Sequence, residues 1–151
     1  MNLRKAVIYD LPLLNHISVT SKGYWGYPEA WIKAWMQDLI LAPSDLSIME
    51  TLVMEFEGKI IGFCSVKDQG QQYEVLHLWV LPEFIGKGFG KVLLKEALTA
   101  FILEQKPIWV LADPNSESFY KKQGFVTFDK VESFPKGRYL PLMKINSFYE
   151  P

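Results

Sequence analysis

Three glycines at alternate positions constrain this chain more than any other feature. They lie in the run Val80-Leu81-Pro82-Glu83-Phe84-Ile85-Gly86-Lys87-Gly88-Phe89-Gly90-Lys91, between a stretch typical of a strand and a longer stretch typical of a helix. Glycines let several backbone N–H groups approach an anion at the N-terminus of a helix. The run therefore predicts a strand, loop and helix that hold a phosphate-bearing ligand, and its alternative is a mobile turn without a ligand.

The glycine spacing excludes the two most familiar nucleotide-binding loops. A dinucleotide fingerprint starting at Gly86 needs its third glycine at position 91, which is Lys91 in this chain. A Walker A loop needs Ser or Thr after its Gly-Lys pair, and Val92 stands there. The expected phosphate site is therefore neither a Rossmann nor a P-loop site.

The composition favours one compact domain that acts on a small molecule. The chain has 151 residues, of which 49% are hydrophobic, enough for one core, so we expect a single domain over residues 1–151. Its net charge of -1 comes from 16 basic and 17 acidic residues without a long run of one sign. This pattern predicts neither a nucleic-acid nor a membrane partner, while a homodimer is allowed.

The N-terminal residues and the single cysteine bear on the cellular location, on disulfides and on metal binding. No apolar signal-like segment follows Met1, and charged residues interrupt every apolar run, so we expect a cytoplasmic location. Cys64 excludes an internal disulfide, and its apolar surroundings favour a buried strand residue over a nucleophile. Because His16, His77 and Cys64 lack metal-ligand spacing, we expect no bound metal.

Apolar periodicity and turn residues divide the chain into mixed helices and strands. Asp10 and Pro12 indicate the start of the first helix, Pro43 the end of the second, Glu57-Gly58 a hairpin, and Gly124 a helix cap. The predicted helices are 10 to about 21–23, 28–41, 88–105 and 115–122, and the predicted strands are 3–9, 48–56, 59–66, 73–81, 108–111, one from 125, and 138–145.

A second run is Asp113-Pro114-Asn115-Ser116-Glu117-Ser118-Phe119-Tyr120-Lys121-Lys122-Gln123-Gly124-Phe125. With its Asn, Phe-Tyr and Gly-Phe residues, and with the glycine loop before it, the chain resembles the GNAT superfamily of N-acetyltransferases. Residues before about 46 match only in their strand, helix, helix layout. The resemblance implies an α+β fold, a three-layer α/β/α sandwich with a central mixed, mainly antiparallel sheet.

The resemblance also implies the binding of acetyl-CoA as co-substrate, with its pyrophosphate on the loop amides. Ile85 stands where the family often has Gln or Arg, so a polar side chain is lost but the backbone donor remains. The backbone of Leu78 and Val80 is expected to pair with the pantetheine arm, and the Val80 N–H to polarise the thioester carbonyl, while their side chains pack in the core. The implied cofactor-binding residues are Leu78, Trp79, Val80, Ile85, Gly86, Lys87, Gly88, Phe89, Gly90, Lys91, Asn115 and Tyr120.

Glu74 and His77 are the two candidate bases. An alkyl amine is mostly protonated near neutrality, so a group or a water chain must take a proton. Glu74 resembles the family's glutamate base, with a solvated strand end as the alternative. His77 has a suitable ordinary pKa, but a hydrogen-bonded structural histidine is the preferred interpretation. Strand alternation predicts Glu74 and His77 on opposite faces unless a bulge intervenes.

Tyr120 and Asn115 carry further roles by resemblance. Tyr120 matches the residue that protonates or hydrogen-bonds the leaving thiolate, and its alternative is an aromatic core residue. Asn115 could cap the short helix, contact the cofactor, or do both. The predicted catalytic residues are therefore Glu74 and Tyr120.

The acceptor is where the sequence is least informative. In the family, the link between the first two helices borders the acceptor site, and here it contains Tyr24, Trp25 and Tyr27, which with His77 are the predicted substrate residues. These rings could surround a cationic amine or plug the sheet.

We expect direct transfer of an acetyl group from acetyl-CoA to a primary amine of a small molecule or peptide, within a ternary complex. A non-catalytic acyl-CoA binding or sensing module is the main alternative, because it would keep the loop without a base or acid. A phosphate-binding interaction domain is a second one, but it leaves the Asn115 to Phe125 match unexplained.

Overall fold

The structure, a computed structural model, describes residues 1–146. The strands are β1 Asn2–Lys5, β2 Glu50–Phe56, β3 Lys59–Asp68, β4 Tyr73–Val80, β5 Ile108–Leu111, β6 Val126–Glu132 and β7 Tyr139–Ile145. The helices are α1 Leu11–Gly23, α2 Glu29–Leu39, α3 Asp45–Ile48, α4 Phe89–Phe101 and α5 Glu117–Lys122. Short 3-10 turns cover Ile8–Asp10, Pro82–Phe84 and Pro114–Ser116.

Within residues 1–146, seven strands form one sheet in the order β1-β2-β3-β4-β5-β7-β6. Among these described strands, only β4 and β5 pair in parallel, and all other neighbours are antiparallel. One core packs α4 residues such as Leu93 and Leu98 against Met54 of β2, and a second core packs Leu14 of α1 against Phe63 of β3. Helices therefore cover both faces, which confirms the predicted three-layer fold.

Several predicted elements are shorter than expected because side chains end them. The first strand stops at Lys5, since the Asp10 carboxylate accepts bonds from the Arg4 guanidinium at 2.8 and 2.9 Å and from the Val7 N–H at 2.8 Å. Helix α4 ends at Phe101 rather than at residue 105, and the Tyr73 hydroxyl accepts the next free N–H groups.

The strands β4 and β5 diverge after a short pairing. They pair from Tyr73 to Val75 against Ile108 to Val110, and from Leu76 onward β4 has no paired neighbour on that side within residues 1–146. The remainder of β4 therefore presents free backbone donors and acceptors at a gap in the middle of the sheet.

Helix length and polarity bear on membrane insertion. Over the described residues, none of the helices combines the length and the apolar character that crossing a bilayer would require.

Candidate active site

A cleft of about 400 Å³ lies along the unpaired end of β4, and Ser21 and Trp25 are also in its lining. The β4 residues Leu78, Trp79 and Val80 form one wall. The glycine loop contributes Ile85, Gly86, Gly88, Gly90 and Lys91 to the lining, and the segment around α5 contributes Asn115, Ser116, Phe119, Tyr120 and Gln123. We refer to this space as the donor cleft.

The glycine loop adopts a conformation that side chains would resist. Gly86 has φ of 79° and Gly88 has φ of 86°, both in the left-handed region. Gly88 is also the N-cap of α4, a helix of 13 residues whose first N–H groups lack partners within the helix. The loop thus presents backbone donors and the positive end of a helix dipole to the donor cleft, which suits a pyrophosphate.

Two residues of the predicted binding run lie outside this cleft lining. The Phe89 ring packs 5.1 Å from the ring of Phe56 and 5.8 Å from that of Phe84, in the core beneath the loop. The Lys87 ammonium lies 5.8 Å from the centre of the Phe84 ring. Ile85 is 38% exposed and lines the cleft, so it contributes an apolar side chain beside its backbone.

The backbone of Val80 faces the gap between the strands. The Leu81 N–H donates to the Ile61 carbonyl of β3 at 2.8 Å, and successive residues of a strand point their backbone groups in opposite directions. The Val80 N–H and C=O therefore point away from β3, and the Val80 carbonyl accepts a hydrogen bond from Ser21 Oγ at 3.0 Å. Its N–H is oriented into the donor cleft.

Gly62 of β3 lets the two strands approach closely at this point. It pairs with Val80, and a Cβ atom built at Gly62 would lie 2.5 Å from the Trp79 carbonyl oxygen. Any larger residue would push β4 away from β3. Gly62 therefore helps to set the position of the Val80 backbone.

Tyr120 lies between the core and the donor cleft. Its side chain is 5% exposed, its ring packs edge-on against Phe119 and Phe125, and burial raises the pKa of its phenol. No hydrogen bond to its hydroxyl is found among residues 1–146, and Tyr120 lines the cleft. The predicted core packing of Tyr120 is confirmed, and because the residue also borders the cleft, its role toward the leaving thiolate stays a prediction.

A second cavity of about 390 Å³ lies against β4 on the side of α1 and α2. Glu74, Leu76, His77 and Trp79 of β4 line it, and Trp79 also lines the donor cleft. Both cavities therefore reach the same residue of β4 from different directions. We refer to the second space as the acceptor cavity.

A β-bulge at Leu76 places Glu74 and His77 on one face of β4. His77 pairs with Ser65 and Val75 pairs with Val66, so Leu76 is an extra residue opposite β3. Accordingly, Val75 and Leu78 both pack on the α4 core despite being three residues apart. The predicted alternation, with Glu74, Leu78 and Val80 on one face, was therefore wrong.

His77 is buried, and its ring already accepts a hydrogen bond from Trp79. Trp79 Nε1 can only donate, and it lies 3.1 Å from His77 Nδ1, so the neutral ring accepts at Nδ1 and carries its hydrogen on Nε2. Burial lowers the His77 pKa to about 4, against the smaller opposing effect of Asp45 and Asp38. At neutral pH neither ring nitrogen is free to take a proton.

A polar cluster that the sequence did not predict joins distant parts of the chain beside the gap. Asp113 accepts from Lys22 Nζ at 2.6 Å, from the Tyr27 hydroxyl at 3.0 Å and from Arg138 Nη2 at 3.4 Å. The side chains of Asp113, Lys22 and Arg138 are 8%, 11% and 12% exposed. We call Asp113, Lys22, Tyr27, Asn115 and Arg138 the Asp113 cluster. No local motif marks it, because its members come from four separate segments.

Asn115 belongs to this cluster rather than capping a helix. Its Nδ2 atom donates to the Tyr27 hydroxyl and to Asp113 Oδ1, both at 2.9 Å, while Asp113 itself accepts the Asn115 N–H at 2.8 Å and caps the 3-10 turn. The predicted capping role of Asn115 was wrong. Asn115 still borders the donor cleft, so it remains a proposed cofactor contact.

The aromatic residues predicted to form the acceptor site separate in the structure. Trp25 lines the donor cleft, with Tyr24, which is 51% exposed, packed edge-on against it at 5.0 Å. Tyr27 directs its hydroxyl into the Asp113 cluster, and its ring meets that of Trp35 at 4.9 Å. Only His77 of the predicted substrate residues lines the acceptor cavity.

Comparison with known proteins agrees with this architecture. The profile of the acetyltransferase (GNAT) domain matches residues 48–127, more than half of the chain. A spermidine N(1)-acetyltransferase of Thermoplasma acidophilum is 30% identical over 146 residues, which cover 85% of this chain and 90% of that protein. An uncharacterized N-acetyltransferase, ycf52 of Pyropia yezoensis, is 29% identical over 100 residues, and the match spans 58% of its length.

Solved structures share the fold over nearly the whole chain. The PaiA N-acetyltransferase of Thermoplasma acidophilum, crystallised with coenzyme A, superimposes with a TM-score of 0.75 at 25% identity and covers 96% of this chain and 98% of that one. A GCN5-related N-acetyltransferase from Rhodopseudomonas palustris has a TM-score of 0.77 at 24% identity, with coverages of 97% and 95%. The profile match over residues 48–127 and the spermidine N(1)-acetyltransferase relative, with the fold shared by these structures, show that the chain belongs to the GNAT superfamily of N-acetyltransferases.

Proposed function

We propose that this protein transfers the acetyl group of acetyl-CoA directly to a primary amine of a small molecule or peptide. The observation that carries the proposal is that the donor cleft and the acceptor cavity both reach Trp79, next to the backbone of Val80. A thioester in the donor cleft and an amine in the acceptor cavity would meet at this point without a covalent enzyme intermediate.

The chain's backbone supplies the donor site. The N–H groups around Gly86, Gly88 and Gly90 hold the pyrophosphate at the start of α4, and the free edge of β4 pairs with the pantetheine arm. The Val80 N–H donates to the thioester oxygen as negative charge develops on it. The PaiA neighbour, whose structure contains coenzyme A, supports the same ligand here.

Glu74 is the proposed base, acting through water. It lies on the same face as His77 and lines the acceptor cavity. His77 is excluded from this role at neutral pH by its Trp79 hydrogen bond and its pKa of about 4. At a strand rise of ~3.3 Å per residue, Glu74 lies several residues from Val80, so a water chain must relay the proton.

Tyr120 is the proposed partner of the leaving thiolate. Because burial raises its pKa, the phenol keeps its proton and donates a hydrogen bond to sulfur as the carbon–sulfur bond breaks. Its hydroxyl has no competing partner in the described part of the chain. This arrangement favours a transferase over a module that only binds acyl-CoA.

Thermal-shift measurement with acetyl-CoA and CoA, followed by thiol-release assays on polyamines, amino acids and peptide N-termini, tests the proposal. We expect stabilisation by both CoA species and amine-dependent thiol release. The absence of stabilisation by either species would contradict the donor assignment. Stabilisation without turnover on any amine would instead favour a binding or sensing module.

A further inference from the structure

We propose that the acceptor is an α-amino acid, whose carboxylate is held by Arg138 while its α-amine attacks the thioester. This inference rests on the proposed acetyl transfer and adds the chemical class of the acceptor. It follows from the charges of the Asp113 cluster, from the unused donors of Arg138, and from the position of both beside Val80.

The Asp113 cluster contains more positive than negative charge. Lys22 and Arg138 share one carboxylate, that of Asp113, and in residues 1–146 neither has another acidic partner within 4.0 Å. Both cations are largely buried, and an uncompensated buried charge costs free energy. The cluster therefore has an excess of one positive charge, which a bound anion would compensate.

The Asp113 carboxylate already accepts hydrogen bonds from four closer donors, so its hydrogen bond with Arg138 is long. Its oxygens accept from Lys22, from Tyr27 and from both nitrogens of Asn115, all between 2.6 and 3.0 Å, while Arg138 Nη2 is 3.4 Å away. A carboxylate offers about four lone-pair positions, and these shorter bonds occupy them. Arg138 is thus left without a close carboxylate of its own.

The Arg138 guanidinium keeps donors free for a ligand. Of its five N–H groups, one on Nη1 lies 3.3 Å from Ser133 Oγ and those on Nη2 meet Tyr27 and Asp113. Within the described residues, Nε and the second N–H of Nη1 have no partner. Arg138 lines the acceptor cavity, and each of these two donors can give one hydrogen bond to an anion there.

The guanidinium is held in place by aromatic rings before any ligand binds. Its central carbon lies 4.4 Å from the centre of the Trp35 ring and 5.0 Å from that of Tyr27, and Lys22 Nζ lies 4.7 Å from the Trp35 ring. Stacking of this kind fixes the orientation of the planar group. A preorganised cation of this type lowers the entropy cost of binding an anion.

The Asp113 cluster lies at the reacting end of β4. Ser21 bonds the Val80 carbonyl, and its chain neighbour Lys22 bonds Asp113. Because Arg138 and Trp79 line the same cavity, we place a carboxylate held by Arg138 near the thioester, with the amine adjacent to that carboxylate as the attacking group. The lone pair of the α-nitrogen forms the new C–N bond, the C–S bond breaks, CoA leaves with its electron pair, and the nitrogen loses one proton to the base.

Acidic side chains also line the acceptor cavity. Asp38, Asp45 and Glu74 line it, and the charges of Asp38 and Asp45 reach His77 strongly enough to act on its pKa. A cationic side chain would be favoured there. L-Lysine is therefore the first probe, because it carries the α-carboxylate, the α-amine and a distal cation.

The test compares L-lysine with L-lysinamide and cadaverine in thiol-release assays, and identifies the product by mass spectrometry with fragmentation. L-Lysinamide keeps the amines but lacks the carboxylate charge, and cadaverine lacks the carboxylate group. We expect L-lysine to have a kcat/KM about tenfold to a hundredfold higher than either analogue, and acetyl to be on Nα. Equal or faster turnover of the analogues, or acetyl on the distal amine, would overturn the inference while leaving acetyl transfer intact.

Variants of Arg138 provide the second arm. Arg138→Gln should lower kcat/KM for L-lysine about tenfold or more and change kcat/KM for L-lysinamide little. Arg138→Lys should keep only part of the activity on L-lysine, because an ammonium keeps the charge but lacks the planar guanidinium that stacks on Trp35 and Tyr27. Lys136→Gln, which removes an exposed cation two residues away, should leave both rates unchanged. An equal loss on both substrates in Arg138→Gln would overturn the inference.

A binding measurement separates failure of acetyl transfer from failure of the carboxylate site. If none of the three compounds is acetylated, calorimetry measures whether L-lysine and L-lysinamide bind to the CoA-loaded protein. Binding of L-lysine alone would support the carboxylate site without the transferase activity. Equal binding, or binding of neither, would overturn it.

Discussion

Ser21 Oγ donates a hydrogen bond to the carbonyl oxygen of Val80 over a distance of 3.0 Å. The bond links the last turn of α1 to the peptide backbone whose N–H is proposed to polarise the thioester. We therefore propose Ser21 as a positioning residue that acts on the reaction through Val80, and this contribution can be separated from its contribution to stability.

Ser21→Ala should lower kcat roughly tenfold with little change in acetyl-CoA affinity, because the Val80 backbone loses its anchor. Ser65→Ala is the matched control, since Ser65 is a buried serine of β3 whose Oγ lies 2.8 Å from Thr51 Oγ1, and neither residue lines either cavity. Each variant should lose about 1 kcal/mol of stability. Equal kcat losses in steady-state assays would remove Ser21 from the positioning role.

Glu74→Gln should reduce kcat about a hundredfold or more near neutral pH, because the amide cannot accept the proton that the amine must lose. The affinity for acetyl-CoA, measured by calorimetry, should stay the same. Glu132→Gln on the exposed strand β6 is the control and should keep full activity. Wild-type turnover in Glu74→Gln would exclude Glu74 as the base.

Tyr120→Phe should reduce the rate of thiol release about a hundredfold while leaving the dissociation constant of acetyl-CoA largely unchanged. The substitution removes only the hydroxyl, so the packing against Phe119 and Phe125 is kept. Tyr139→Phe, at a residue that is 44% exposed, is the control. If single-turnover rates of the two variants are equal, the phenol has no part in the departure of the thiolate.

Because burial lowers the pKa of His77, we expect the free energy of unfolding to fall in acid. Its pKa is about 4 in the folded protein and about 6.5 when unfolded, so the unfolded chain binds the proton first as the pH falls. Stability is therefore lost between about pH 6.5 and pH 4 and regained as the pH rises, by roughly 3 kcal/mol in total.

Urea denaturation of His77→Asn across this pH range measures the effect, since the Asn side-chain oxygen can still accept from Trp79. The variant should show a flatter pH dependence than the wild type. His16→Asn, at an exposed histidine, should retain the wild-type dependence. The same slope in all three proteins would contradict the burial of a neutral His77.

The parts of the fold that depend on local chemistry were predictable. The glycine loop and α4 follow from the left-handed positions of Gly86 and Gly88, and Gly124, with φ of 98°, follows the short helix as expected. The hairpin at Glu57-Gly58 was predictable for the same reason, because turn chemistry is set by adjacent residues.

The bulge at Leu76 and the Asp113 cluster were not predictable. Pairing of Val75 and His77 with consecutive residues of β3 depends on the neighbouring strand and leaves no pattern in β4 itself. Likewise, Lys22 and Arg138 meet at Asp113 only because the sheet brings distant segments together. The site therefore combines a loop that is visible in the sequence with an acceptor side that tertiary packing creates.

A crystal structure of the protein with bound CoA tests the central claim most directly. The account predicts the pyrophosphate within hydrogen-bonding distance of the amides around Gly86, Gly88 and Gly90, the pantetheine arm along the free edge of β4, and the sulfur beside Val80 and Tyr120. CoA bound elsewhere, or bound with its sulfur away from Val80, would contradict the account.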